Sequence, residues 1–102
     1  MGVKILSNSK QKLCILISGD IDHHSSSNMR SEIDLFIEKY LPNLVVLDFS
    51  EVNFMDTSGI GLILGRFKLA NKLGINLQVI NARDRIKRII EFSGIKSLGI
   101  IK

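Results

Sequence analysis

The 102-residue chain has one cysteine, one proline, one tyrosine and no tryptophan. A lone Cys14 excludes an internal disulfide. Its setting, Leu13-Cys14-Ile15-Leu16-Ile17, is that of a small hydrophobe in a buried strand rather than a reactive thiol. No apolar run approaches the roughly 18–20 residues a membrane span requires. The opening Met1-Gly2-Val3-Lys4-Ile5-Leu6-Ser7 lacks the apolar core of a signal peptide, and its serine falls at position 7, outside the myristoylation pattern. A cytoplasmic protein with no membrane contact is the expectation. Catalytic fingerprints are also scarce. There is no Walker-type Gly-Lys-Ser/Thr and no Gly-x-Ser-x-Gly, and Gly59-Ile60-Gly61 supplies only the first two glycines of a dinucleotide fingerprint. No cofactor is expected.

The length allows one domain, residues 1–102, with one modest core. Acidic charge is sparse toward the end of the chain. Residues 1–65 hold five Lys/Arg against eight Asp/Glu, a net of −3, whereas residues 66–102 hold nine against two, a net of +7. No aromatic residue interleaves with Arg83, Arg85, Lys87 and Arg88, so a base-stacking platform is missing. The basic segment reads as a solvated helix surface, and no direct nucleic-acid partner is expected.

What is present is a regular alternation of apolar strands and amphipathic helices. Residues 12–18 read as a buried strand, paired with a shorter strand at 3–6 across a polar turn. Residues 19–24 read as a loop, and Ser25, Ser26, Ser27 and Asn28 offer N-caps to a helix whose apolar face is Met29, Ile33, Phe36, Ile37 and Tyr40. Pro42-Asn43 ends it. Residues 44–49 form an almost wholly apolar strand, as expected where both faces are covered. A second helix spans 58–72, with Ile60, Ile63, Leu64 and Phe67 as its core face and Gly74 as its stop. A strand at 75–80 follows, then a third helix capped by Asn81 and stopped by Gly94, then a short strand at 98–101. The order ββαβαβα(β) predicts a single α/β domain. It would be a small mixed sheet of about four or five strands, largely parallel with right-handed crossovers, with helices packed on it.

The most informative segment is Asp56-Thr57-Ser58-Gly59-Ile60, where a strand hands over to a helix. Two hydroxyls stand at a helix N-terminus, whose free N–H groups and macrodipole favour an anion. No base is near enough in sequence to make either a nucleophile, so the reading is a hydroxyl that receives a phosphoryl group: a switch, not a catalyst. Within the same helix, Gly61 and Gly65 each cost roughly 0.5–1 kcal/mol relative to alanine. With Ser58 and Leu62 they make an i, i+3, i+4, i+7 stripe, read as facing away from the core and free of bulk, suited to a docking partner. Asp20, Asp22, His23 and His24 lack a third element at metal-ligand spacing, so no metal is expected and the loop reads as a partner contact. Ser58 with a histidine and an aspartate could be drawn as a hydrolase triad. No oxyanion element accompanies it, and no catalytic residue is assigned.

Gly19-Asp20-Ile21-Asp22-His23-His24 and the run from Phe54 to Lys68 resemble the STAS-domain anti-sigma factor antagonists, most of all the sporulation branch, the anti-sigma-F factor antagonists. The likeness extends over residues 3–100. It implies a cycle in which the unphosphorylated antagonist binds an anti-sigma factor that is also a serine kinase, releasing the sigma factor. The kinase then phosphorylates the hydroxyl directly after the motif aspartate, which ends binding, and a serine phosphatase resets the protein. Carried over, the acceptor is Thr57, where sporulation members carry serine. Ser58, which heads the glycine stripe, is the second candidate. Asp22 matches a position that contacts a partner arginine, and Asp20 is a second contact. Asp56, Gly59, Gly61, Leu62 and Gly65 complete the expected partner surface. An antagonist in a sigma-B-type stress pathway, or a regulator of another kinase, is the alternative. Family members usually continue into a further helix, whereas this sequence ends at Lys102; the resemblance then implies either that the helix is dispensable or that the third helix and the C-terminal tail pack differently.

Overall fold

Strand β2 (Lys12–Ile21) sets the architecture: its odd positions Leu13, Ile15, Ile17 and Ile21 are fully buried, while Cys14, Leu16 and Ser18 on the opposite face are only half-buried. The computed structural model describes residues 2–102. Among them β1 (Gly2–Asn8) pairs antiparallel with β2, and β3 (Leu44–Met55) and β4 (Asn76–Ile80) extend the sheet by parallel pairing in the order β1-β2-β3-β4. Helix α1 (Ser26–Tyr40) connects β2 to β3, α2 (Thr57–Lys72) connects β3 to β4, and α3 (Asp84–Ser93) follows β4. Two successive crossovers between parallel strands, in the same direction across the sheet, bring α1 and α2 into contact. The core gathers Ile15, Ile17, Leu47 and Phe49 from the sheet, Ile33 and Ile37 from α1, Ile63 and Ala70 from α2, and Ile86 and Ile90 from α3.

Several expectations change. β3 runs to Met55, six residues beyond the apolar run: Val45, Leu47 and Phe49 on one face are fully buried, while on the other face Val46 is buried but Leu44, Asp48 and Ser50 are half-buried. The sheet therefore has one closed face and one partly open face, not two closed ones. The segment 19–21 continues β2 instead of forming a loop. Its pairing with β3 shifts register between Leu16 and Ser18 and again between Gly19 and Asp20, each shift adding one residue on the β3 side. Gly19, at φ +93°, sits at the second shift in a backbone conformation that suits glycine.

Asn81 does not cap α3. It takes a left-handed conformation (φ 61°) and its amide donates to Asp48 Oδ1 at 3.3 Å, so the chain turns before the helix and Arg83 becomes the N-cap residue. The last strand is replaced by a 3-10 turn at Ile95–Leu98 and a single parallel bridge between Val79 and Ile101. Gly94 and Gly99 flank that turn at φ +81° and +73°, breaking any extended run. Gly94 does stop α3, and Gly74 (φ +71°) follows α2.

Candidate functional site

The ends of β2 and β3 emerge at the same sheet edge, and the Asp56 N–H donates to the Ile21 carbonyl at 3.1 Å. Two turns are thereby held together: the one entering α1 at 22–25 and the one entering α2 at 56–58. Asp56 is the N-cap of α2. Its backbone is extended (φ −102°, ψ −167°), and Oδ1 accepts the Ser58 N–H at 2.7 Å. Thr57 is exposed and Ser58 half-buried. Both hydroxyls thus lie at an orderly helix start whose next N–H, that of Gly59, is bonded to the Asp56 carbonyl at 3.0 Å.

The turn into α1 is organised by Asp22. Its Oδ1 accepts the N–H groups of His24 and Ser25, both at 2.9 Å. Ser25 is the N-cap by position, but its hydroxyl does not cap the helix. It donates to the Asp20 carbonyl at 2.7 Å and accepts the Asp22 N–H at 3.0 Å. The backbone N–H of Ser25 holds the Asp22 carboxyl below the ordinary carboxylate value, with the Ser25 hydroxyl, the His24 N–H and the nearby imidazole adding to the effect. These bonds fix Asp22 in place and favour its ionised form. The rings of His23 and His24 meet edge to face, 5.8 Å between centroids.

Two grooves flank the start of α1. One, about 490 Å³, is lined by Asp20, Asp22, Glu32, His24 and Asn28, with Met29 at its floor. The other, about 390 Å³, lies between α1 and α2 and is lined by His23, Ser26, Ser27, Arg30, Ser58, Gly61, Leu62 and Arg66. Arg66 was the least foreseeable member. It is only 5% exposed, its Nε is 2.6 Å from Asp34 Oδ1 on α1, and its Nη1 donates to the Leu62 carbonyl at 3.3 Å. The Nε contact is close in distance but outside hydrogen-bond alignment. Burial works against charge on both partners, lowering Arg66 and raising Asp34 from their ordinary values, while their mutual attraction opposes each shift. The chain spacing between residues 34 and 66 hides this pair from a linear reading; an arginine one turn after Leu62 on the inner side of α2 is the only trace.

The glycine stripe is corrected. Ser58, Leu62 and Arg66 face α1, and Leu62 is 3% exposed and part of the core. The stripe therefore borders the α1–α2 groove instead of standing clear of the core. Gly61 is exposed and Gly65 half-buried, and a Cβ on either would meet nothing within 4 Å. Gly59 differs from both: it is buried, and a Cβ there would overlap the Met55 side chain. Of the expected partner surface, Asp20 and Gly61 are exposed, Asp22, Asp56 and Gly65 are half-buried, and Gly59 and Leu62 are inside.

His23 and Ser58 do share the α1–α2 groove, but no hydrogen bond joins them among the described residues. Among those residues no group of three or more His, Cys, Asp or Glu side chains is arranged to hold a metal ion, and no helix is long and apolar enough to cross a membrane. In the basic C-terminal segment, Arg83 is tied down by its Nε to the Ser50 carbonyl (3.1 Å) and its Nη1 to Asn53 Oδ1 (3.0 Å).

A four-stranded mixed sheet with helix-start hydroxyls beside an acidic turn defines a small α/β module. The sequence model of the STAS domain matches residues 4–101, and the chain belongs to the STAS domain family. It is 36% identical over 83 residues to an anti-sigma F factor antagonist of Paenibacillus polymyxa, covering 81% of this chain and 71% of the relative. It is 26% identical over 93 residues to an anti-sigma-B factor antagonist of Bacillus subtilis, covering 91% and 84%. Its fold is similar to that of the unphosphorylated anti-sigma factor antagonist SpoIIAA, with a TM-score of 0.83 at 23% identity over 99% of this chain and 86% of the other.

Proposed function

We propose that this protein is an anti-sigma factor antagonist: its unphosphorylated form binds an anti-sigma factor with serine kinase activity and frees the sigma factor. Phosphorylation at the start of α2 switches that binding off, and a serine phosphatase restores it. The observation that carries the reading is the hydrogen bond from Asp56 to Ile21, which sets the start of α2, with Thr57 and Ser58, beside Asp20 at the end of β2 and Asp22 in the turn that follows. A partner seated over both turns covers the acceptor and the acidic contact at once. The likeness to anti-sigma F factor antagonists supports the partner class.

The physics of the switch is local. A phosphoryl group adds roughly −1.5 to −2 charges beside Asp56. The helix N-terminus accommodates that charge in the free protein, whereas a tightly packed partner meets bulk and a buried charge. A loss of about 4 kcal/mol lowers affinity roughly a thousandfold, so the fold need not change for the complex to separate. Exposed Thr57 is the more accessible acceptor and Ser58 the second. An antagonist of a sigma-B-type pathway is the alternative, supported by the weaker likeness to the Bacillus subtilis anti-sigma-B factor antagonist, 26% against 36% identity. Calorimetric titration of purified anti-sigma F and anti-sigma-B kinases separates the two. Thr57→Glu and Ser58→Glu variants test the switch, and the reading fails if both bind as tightly as the unmodified chain.

A further inference from the structure

The α1–α2 groove holds positive charge that the switch does not use. No carboxylate lines it, while Arg30, Arg66 and the His23 imidazole do. Arg30 is exposed and has no ion pair among the described residues. Arg66 is locked from behind by Asp34 and bonds the Leu62 carbonyl, and its remaining N–H groups have no protein acceptor among the described residues. A guanidinium that is buried, immobilised and still holding free donors is prepared to receive oxyanion oxygens in a paired geometry. Ser58 lines this groove, and Thr57 does not.

We propose that the groove is an intramolecular receptor for a phosphoryl group carried on Ser58, with Arg30 and Arg66 pairing its oxygens. The delivery rests on the kinase reading above. The Ser58 Oγ bonds to the γ-phosphorus of a nucleoside triphosphate, the bond to the β,γ-bridging oxygen breaks, the nucleoside diphosphate leaves, and the hydroxyl proton passes to a base of the kinase. The two adjacent hydroxyls then have different fates. A phosphoryl group on Thr57 stands in solvent and presents its charge to any partner, whereas one on Ser58 is neutralised within the fold and ties α1 to α2.

The test uses free protein, so it does not depend on antagonist activity. Phosphoserine is installed at position 58 in one full-length chain and at position 57 in another, and each phosphate is titrated by phosphorus NMR. The charged groups around position 58 are Arg30 from α1, Arg66 and its partner Asp34, and Asp56 at the α2 cap, with the titratable His23 in the turn before α1. Asp56 acts on both positions, so their difference isolates the groove. The expected result is a second ionisation at position 58 about one pH unit below the ordinary value near 6, with position 57 close to that value. Arg30→Ala, at an exposed position, returns the position-58 phosphate toward position 57, and Arg66→Lys does so in part. Equal titration at the two positions, or indifference to Arg30→Ala, overturns the proposal. Inorganic phosphate is also added to the unmodified chain. Weak, unsaturated perturbation of the groove is expected, and saturable Arg30-dependent binding at sub-millimolar phosphate would make this a free-anion site and overturn the assignment to Ser58.

Discussion

The grooves on either side of the start of α1 are of similar size and opposite charge. One gathers Asp20, Asp22 and Glu32, the other Arg30 and Arg66 with His23. A single helical turn supplies both, because Arg30 and Glu32 lie two residues apart and project to different sides. The difference teaches how each side is stabilised. The acidic groove is held by backbone N–H groups donated to Asp22, a local device within one turn. The basic groove is held by a long-range ion pair, Asp34 to Arg66, that joins two helices. The first can be altered without disturbing the core; the second cannot.

The largest effect that would sharpen this contrast is on partner binding. Asp22→Ala is expected to weaken binding of the anti-sigma factor by about a hundredfold, through loss of a charged contact and of turn order. Circular dichroism and melting of the free protein should stay close to wild type. A large loss of stability in this variant would break the distinction between a local and a structural groove.

Asp34→Ala should do the reverse. It strands the buried Arg66 cation and is expected to cost about 2–3 kcal/mol in urea unfolding, below the range for a fully buried pair because the Asp34 side chain is 29% exposed. The double variant Asp34→Ala/Arg66→Met should recover much of that loss.

The glycines of α2 offer a smaller test of the same divide between interior and surface. Gly59→Ala drives a methyl into Met55 and is expected to destabilise by about 1–3 kcal/mol. Gly61→Ala enters open space and is expected to stabilise the free protein by about 0.5–1 kcal/mol. If Gly61 borders the partner, the same variant binds more weakly while melting higher.

The smallest effect is in acid. Asp22 has its ionisation lowered in the fold, so its stabilisation is present above the unfolded value of 3.8 and is lost as pH falls through the folded value. Asp34 has its ionisation raised, so the fold favours its protonated form, and stability declines as pH rises from 3.8 through the folded value. Carboxyl carbon NMR should find the two aspartates titrating on opposite sides of 3.8.

Much of the fold could be read from hydrophobic pattern because each element carries its own period. Ile15 and Ile17 alternate as a strand should, and Met29, Ile33 and Ile37 recur as a helix should. The pattern failed where tertiary context overruled it. Beyond Phe49 the strand β3 turns polar at Ser50, Glu51 and Asn53, yet pairing with β2 carries it on to Met55. Asn81 looked like a cap and became a left-handed turn residue, held by Asp48 33 positions away. The hydroxyls and the acidic turn were visible as motifs. The basic groove was not, because Arg66 reads as a surface arginine until α1 brings Asp34 against it.

The most direct test of antagonist function is an intact-mass time course of the protein with its cognate anti-sigma kinase and ATP, with fragment mapping and a binding measurement on the product. The account predicts one phosphoryl group within the peptide carrying Thr57 and Ser58, and loss of the complex once it is added. An unmodified chain, or a phosphorylated chain that binds as tightly as before, would contradict it.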